Sequence, residues 1–127
     1  PPATDPEAQE EQAWRMISRA HQLFFATEEI LQRDPSLDRS ATMALKAALN
    51  GEDISSADLR FEQLGFNRTP RHEVGCTGPS VRECLDGLFW SAQSRSRLLD
   101  PNHGVLGVAV KQLSNGEVAV MLNLAAE

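Results

Sequence analysis

The chain has 127 residues, 41% hydrophobic and 24% charged, with a formal net charge of -6. That length suits one domain around one core, and the composition excludes a globally disordered chain. The acidic balance excludes a protein that grips nucleic acid through a basic face, and no apolar run reaches membrane-spanning length.

The opening Pro1–Pro2–Ala3–Thr4–Asp5–Pro6–Glu7 is rich in Pro and Glu and reads as the end of a linker. Residues 1–8 are therefore expected to be linker or disordered N-terminus, and 9–127 one domain. The first residue is not methionine, so a targeting segment is expected to have been removed, or a preceding part excised.

Asp5 before Pro6 is a cap followed by proline at the first helical position. Trp14, Ile17, Ala20, His21, Phe24, Phe25, Glu28 and Leu31 then follow one helical face as far as about Arg33. Asp34–Pro35 repeats the start signal. Leu37, Ala41, Ala44, Leu45, Ala48 and Leu49 form the stripe of a second helix, and Asn50–Gly51 ends it. Ser55 or Ser56 caps a short third helix carrying Leu59, Phe61 and Leu64, with Gly65 as its stop.

Phe66 to Thr77 reads as irregular chain or a short strand. Ser80 and Glu83 fit a capping box for a fourth helix with Val81, Cys84, Leu85, Leu88, Phe89 and Ala92. After Pro101 the period changes. Val105, Leu106, Val108 and Val110 form one strand, and Val118, Val120, Leu122 and Leu124 another. Ser114–Asn115–Gly116 joins them as a hairpin. Both strands are apolar at most positions, so helices are expected on both faces of the sheet.

Cys76 and Cys84 leave two readings open. They can bridge the loop before the fourth helix to the helix itself, or Cys84 can be a buried thiol beside Val81 and Leu88. Two cysteines cannot build a zinc site, and no histidine spacing completes one. No metal or other cofactor is expected.

His72–Glu73 is the one adjacent pair of imidazole and acid. Such a pair can share a metal or act as base and acid, but neighbours on a strand point to opposite faces. A solvated loop pair is the plainer reading. Asp100–Pro101–Asn102 reads as a turn with an exposed His103, and His21 as a packed or partly exposed histidine on the first helix. Ser91 and Ser94 lack a histidine partner and a nucleophile elbow. Arg60 reads as an ion-pair partner, with anion binding as the alternative. Trp14, Phe24, Phe25 and Trp90 read most simply as core aromatics.

Four blocks in order carry a resemblance. Asp34–Pro35–Ser36–Leu37 is followed by Ala41 and Ala44. Arg60–Phe61–Glu62–Gln63–Leu64–Gly65–Phe66 comes next, then His72–Glu73–Val74. Ser91, Arg95, Leu98, Leu99, Pro101 and Gly107 close the series. Their order and spacing resemble the CAP superfamily, that is, the SCP-like or pathogenesis-related-1 domain. The resemblance covers most of the chain from Ala13 onward, and the closing block is like that of bacterial members.

The resemblance implies an α-β-α sandwich: about four helices on a small, mainly antiparallel sheet ending in a β-hairpin. Many members carry a cleft with two histidines and two glutamates that can bind a divalent metal. Here that site is degenerate. No histidine lies in Leu49–Asn50–Gly51–Glu52–Asp53–Ile54, Ser94 stands where the second is expected, and of the Gly-Glu-Asn motif only Glu73 remains. Leu88 takes the place of the family tryptophan, and Glu83 is a weak candidate for the fourth position.

The cleft residues implied are Glu73, His72, Asn50, Arg60, Ser94 and Arg95. The reading is a non-catalytic binding or interaction module in a secreted or surface protein, taking a protein, glycan or lipid ligand and no nucleic acid. The alternative is a hydrolase-like enzyme using Glu73 and His72. A structural domain of a surface protein is a third class.

Overall fold

The computed structural model describes residues 5–127. In chain order the elements are α1 (Pro6–Phe25), β1 (Gln32–Arg33), α2 (Pro35–Asn50), α3 (Ala57–Gln63), β2 (Arg71–Gly78), α4 (Val81–Trp90), α5 (Ala92–Leu98), β3 (Val105–Gln112) and β4 (Val118–Ala125). The strands form one sheet in the order β1-β3-β4-β2. β4 is antiparallel to both β3 and β2, and β1 runs parallel to β3 over two residues.

Alternation along the strands sends two sets of side chains into two layers of helix. Val74, Leu106, Val108, Val120, Leu122 and Leu124 meet Ile17 of α1, Leu85 of α4 and Leu98 of α5. On the other face, Val105 and Ala125 pack with Leu37 and Phe61, and Ala109 and Ala119 pack with Ala41 and Leu45. The expected α-β-α sandwich is therefore present.

The caps are those expected. Asp34 accepts from the Ser36 and Leu37 amides, and Gly51 closes α2 with φ at 65°. The Gly116 amide bonds the Leu113 carbonyl at 3.1 Å, and the Asn115 side chain holds the Glu117 amide at 3.0 Å. Only Gly116 of the Asn-Gly pair has positive φ, at 89°, so the turn uses one left-handed residue rather than two.

Several expectations need correcting. There are five helices, not four, because Ser91 leaves helical geometry (φ -86°, ψ 121°) and caps α5 through the Ser94 amide. α1 stops at Phe25, where Ala26 turns left-handed at φ 50°. The chain then reverses, so that Leu31 is buried and its carbonyl accepts from Trp14 Nε1 at 2.6 Å. Residues 6–8, inside the expected linker, lie in the first turns of α1, and 1–4 lie outside the described residues.

Phe66 to Thr77 contains most of β2, held by register with β4 rather than by its own pattern. Phe24 and Trp90 are 63% and 87% exposed, not core. Trp90 follows Leu88 by two residues, which is more than half a turn away from the buried stripe.

Candidate functional site

The most heavily bonded polar cluster lies between the sheet and the α2–α3 layer. Ser56 caps α3 and starts the turn that carries Arg60 beneath it. The Arg60 Nη2 donates to both oxygens of Glu73, at 2.8 and 2.7 Å. Its Nη1 donates to Ser40 Oγ at 2.6 Å and to the Ser40 carbonyl at 3.1 Å, and its Nε to the Ser55 carbonyl at 3.1 Å. Register places Asn123 of β4 opposite Glu73, and Asn123 Nδ2 donates to Glu73 Oε2 at 2.9 Å.

Arg60 is 5% exposed and Asn123 fully buried. One guanidinium nitrogen thus reaches both carboxylate oxygens in a charge-assisted contact, while the other two are held by Ser40 and Ser55. Glu73 is thereby engaged by two donors.

His72 lies on the opposite face of β2. Its Nδ1 is 3.2 Å from His103 Nε2, and the rings meet nearly edge-on at 81°. Two neutral imidazoles in such contact need one ring to donate and the other to accept. His103 is only 4% exposed, which corrects the exposed histidine expected after the turn. The turn itself forms, with the Asn102 amide on Asp100 Oδ1 at 2.9 Å and the His103 amide on the Asp100 carbonyl at 3.2 Å.

Burial lowers the His103 pKa to about 4, with His72 and His21 pushing the same way and Asp100 opposing. Burial also lowers the His72 pKa, Arg97 adding to it and Asp100 and Asp58 opposing. His21 Nε2 donates to the Asp100 carbonyl at 3.3 Å, so all three histidines of the chain gather around this turn. Among the described residues, no group of three or more His, Cys, Asp or Glu is placed to hold a metal ion.

The six cleft residues implied by the resemblance do not converge. Arg60 and Glu73 meet, while His72 faces the other layer. Asn50 ends α2 and lines a groove beside the β3–β4 hairpin. Ser94 and Arg95 lie on α5, where Arg95 Nη1 donates to the Phe89 carbonyl at 3.1 Å. Ser40, Asn123 and His103 are partners that the sequence reading did not pair. The one available signal was Asn123, a lone amide in the apolar run Val118–Ala125.

The open question over the cysteines closes on the bridge. Cys76 of β2 and Cys84 of α4 form a disulfide with Cα atoms 5.6 Å apart.

This sandwich, with its hairpin last and its short helices after β2, is the CAP superfamily fold. The chain is similar to an outer surface protein of Borrelia burgdorferi, with a TM-score of 0.80 and 12% identity over 98% of this chain and 96% of that one. It is also similar to a cysteine-rich secretory protein of Staphylococcus aureus, with a TM-score of 0.77 and 14% identity over 98% of this chain and 41% of that one. An extracellular SCP-domain protein of Bacillus anthracis gives a TM-score of 0.75 and 16% identity over 100% of this chain and 45% of that one. The chain thus spans less than half of the last two proteins. No protein-family model and no curated protein matches the sequence. Among the described residues, no helix is long and apolar enough to cross a membrane.

Proposed function

We propose that this chain is a non-catalytic binding or interaction module of CAP type with a degenerate cleft, carried by a secreted or surface protein. The observation that supports this most is the engagement of Glu73 by Arg60 and Asn123. A carboxylate that accepts at both oxygens from Arg60 Nη2 and again from Asn123 Nδ2 has few lone pairs left for a metal or a substrate proton. The extracytoplasmic setting draws support from the disulfide and from the secretory and extracellular proteins of the same fold. The ligand class is protein, glycan or lipid.

The rival is a hydrolase pairing Glu73 with His72. Their partners lie on opposite faces of β2, which does not favour work on one atom. Calorimetric titration with zinc of the wild-type chain and of Glu73→Gln tests the choice. The module reading expects no saturable heat that depends on Glu73. Saturable binding that is lost in the variant overturns it and restores a metal-dependent cleft.

A further inference from the structure

β3 has an open edge. β1 pairs with it only at Val105 and Leu106, and Asp38 Oδ1 then takes the Val108 amide at 2.8 Å. Beyond that point, among the described residues, the sheet order leaves no strand on this side of β3. Ladder alternation turns the Val108 carbonyl and both main-chain groups of Val110 outward. Unpaired edge groups of this kind are a template for another strand.

The edge lies along a groove of about 670 Å³ between α2 and the β3–β4 hairpin. Leu45, Leu49 and Leu113 give it apolar walls, and Lys46 and Lys111 also line it. These are the only two lysines in a chain of net charge -6. Every ion pair among the described residues is made by an arginine, so neither lysine is neutralised by one. Glu10, the acid in the lining, faces Arg33 at 3.9 Å.

We propose that the open edge of β3 accepts an extended acidic peptide of a partner protein as an added strand. Main-chain groups of Val108 and Val110 pair with the peptide. On the face of the peptide turned to α2, carboxylates meet Lys46 and Lys111 and apolar side chains rest on Leu45, Leu49 and Leu113. A second copy of this chain fits less well. Edge-to-edge pairing brings the same lysines together and joins two chains of the same acidic charge. The inference rests on the binding-module reading and names a partner class for it.

The test is selection of random displayed decapeptides on the wild-type chain, followed by binding of one selected peptide to Lys46→Glu/Lys111→Glu. Both lysines are exposed, so the variant is expected to fold, and circular dichroism checks this. The expected winners carry acidic and apolar residues at every second position, on the one face turned to α2. Their affinity falls at least about tenfold in the variant, and N-methylation at alternate peptide positions abolishes binding. Hydrogen exchange of the Val110 amide slows in the complex.

Winners that bind the variant equally well, or tolerate N-methylation, overturn the edge site but leave the module reading standing. No enrichment at all also overturns the edge site, while the module reading, whose ligand class includes glycan and lipid, is decided by the zinc titration. A concentration-dependent dimer that protects the Val110 amide assigns the edge to a second copy and overturns the peptide proposal.

Discussion

Arg60 grips Glu73 through both carboxylate oxygens, and the same guanidinium reaches back to Ser40 on α2 at 2.6 Å. One side chain thus ties α3 to α2 and to β2, and Asn123 extends the tie to β4. Removing one member leaves the other charge buried, which is the costly way to break such a pair. Glu73→Ala is expected to lower stability by about 3 kcal/mol. Arg60→Met with Glu73→Leu is expected to cost less than the sum of the two single changes, because neither charge is left alone. Urea unfolding of the wild type, Arg60→Met, Glu73→Leu and the double variant measures the coupling. Additive losses would mean that the pair is not a unit.

The histidine contact at the Asp100 turn makes stability fall in acid. His103 ordinarily titrates near 6.5, and in the fold its pKa lies at about 4. The unfolded chain therefore binds the extra proton first as pH drops. Stability from this group is complete above about pH 6.5 and is lost progressively toward about pH 4, over a range of at most about 3 kcal/mol. His72 shifts in the same direction, also by burial. Urea midpoints at pH 7 and pH 5 should differ, and His103→Gln should flatten the difference. An unchanged slope in the variant would place the acid sensitivity elsewhere.

Much of the fold is legible because its signals are local. Asp34–Pro35, Asn50–Gly51 and Ser114–Asn115–Gly116 each specify their own backbone, and the helix and hairpin follow. β2 is hidden because Arg71–Gly78 shows no clean alternation and owes its strand to eight residue pairings with β4. Five helices are read as four because Ser91 lies in a helical run and switches to extended geometry there.

The site divides in the same way. Arg60 and Glu73 stand out by residue type, yet their meeting depends on α3 folding over β2, and that placement is tertiary. The turn around Asp100 is readable, while the burial of His103 depends on His21 and His72 arriving from α1 and β2.

The two tryptophans should behave as opposites. Trp14 packs against the core and donates to the Leu31 carbonyl at 2.6 Å, whereas Trp90 is 87% exposed. Trp90→Ser is expected to change stability by less than about 0.5 kcal/mol. It should also remove the red-shifted, iodide-quenched part of the fluorescence. Trp14→Phe should remove the blue, protected part and cost about 1 kcal/mol for the lost hydrogen bond. A protected Trp90 in the isolated chain would show that something covers it, and the size of the species in solution would then identify a self-contact.

Among the glycines, Gly107 is the one where an added Cβ would meet its neighbours most closely. A Cβ built there would overlap the carbonyl of Leu37 and press on the Asp38 amide, both main-chain atoms in the first turn of α2. Its φ is not in the left-handed region, so the requirement is space rather than backbone conformation. The close approach seats Leu37 with Phe61 and Val105, and brings Asp38 Oδ1 to the Val108 amide. Gly107→Ala must move α2 away from the sheet. The expected loss is about 3 kcal/mol or more, the scale of a core clash that cannot relax. Gly87→Ala is the matched control: beyond its chain neighbours and its own helix backbone, nothing lies within 4 Å of the added carbon, and its position in α4 favours alanine. Thermal unfolding of both variants reads the contrast. A Gly107→Ala chain as stable as the wild type would mean that α2 can shift at little cost, and that its contact with β3 is loose.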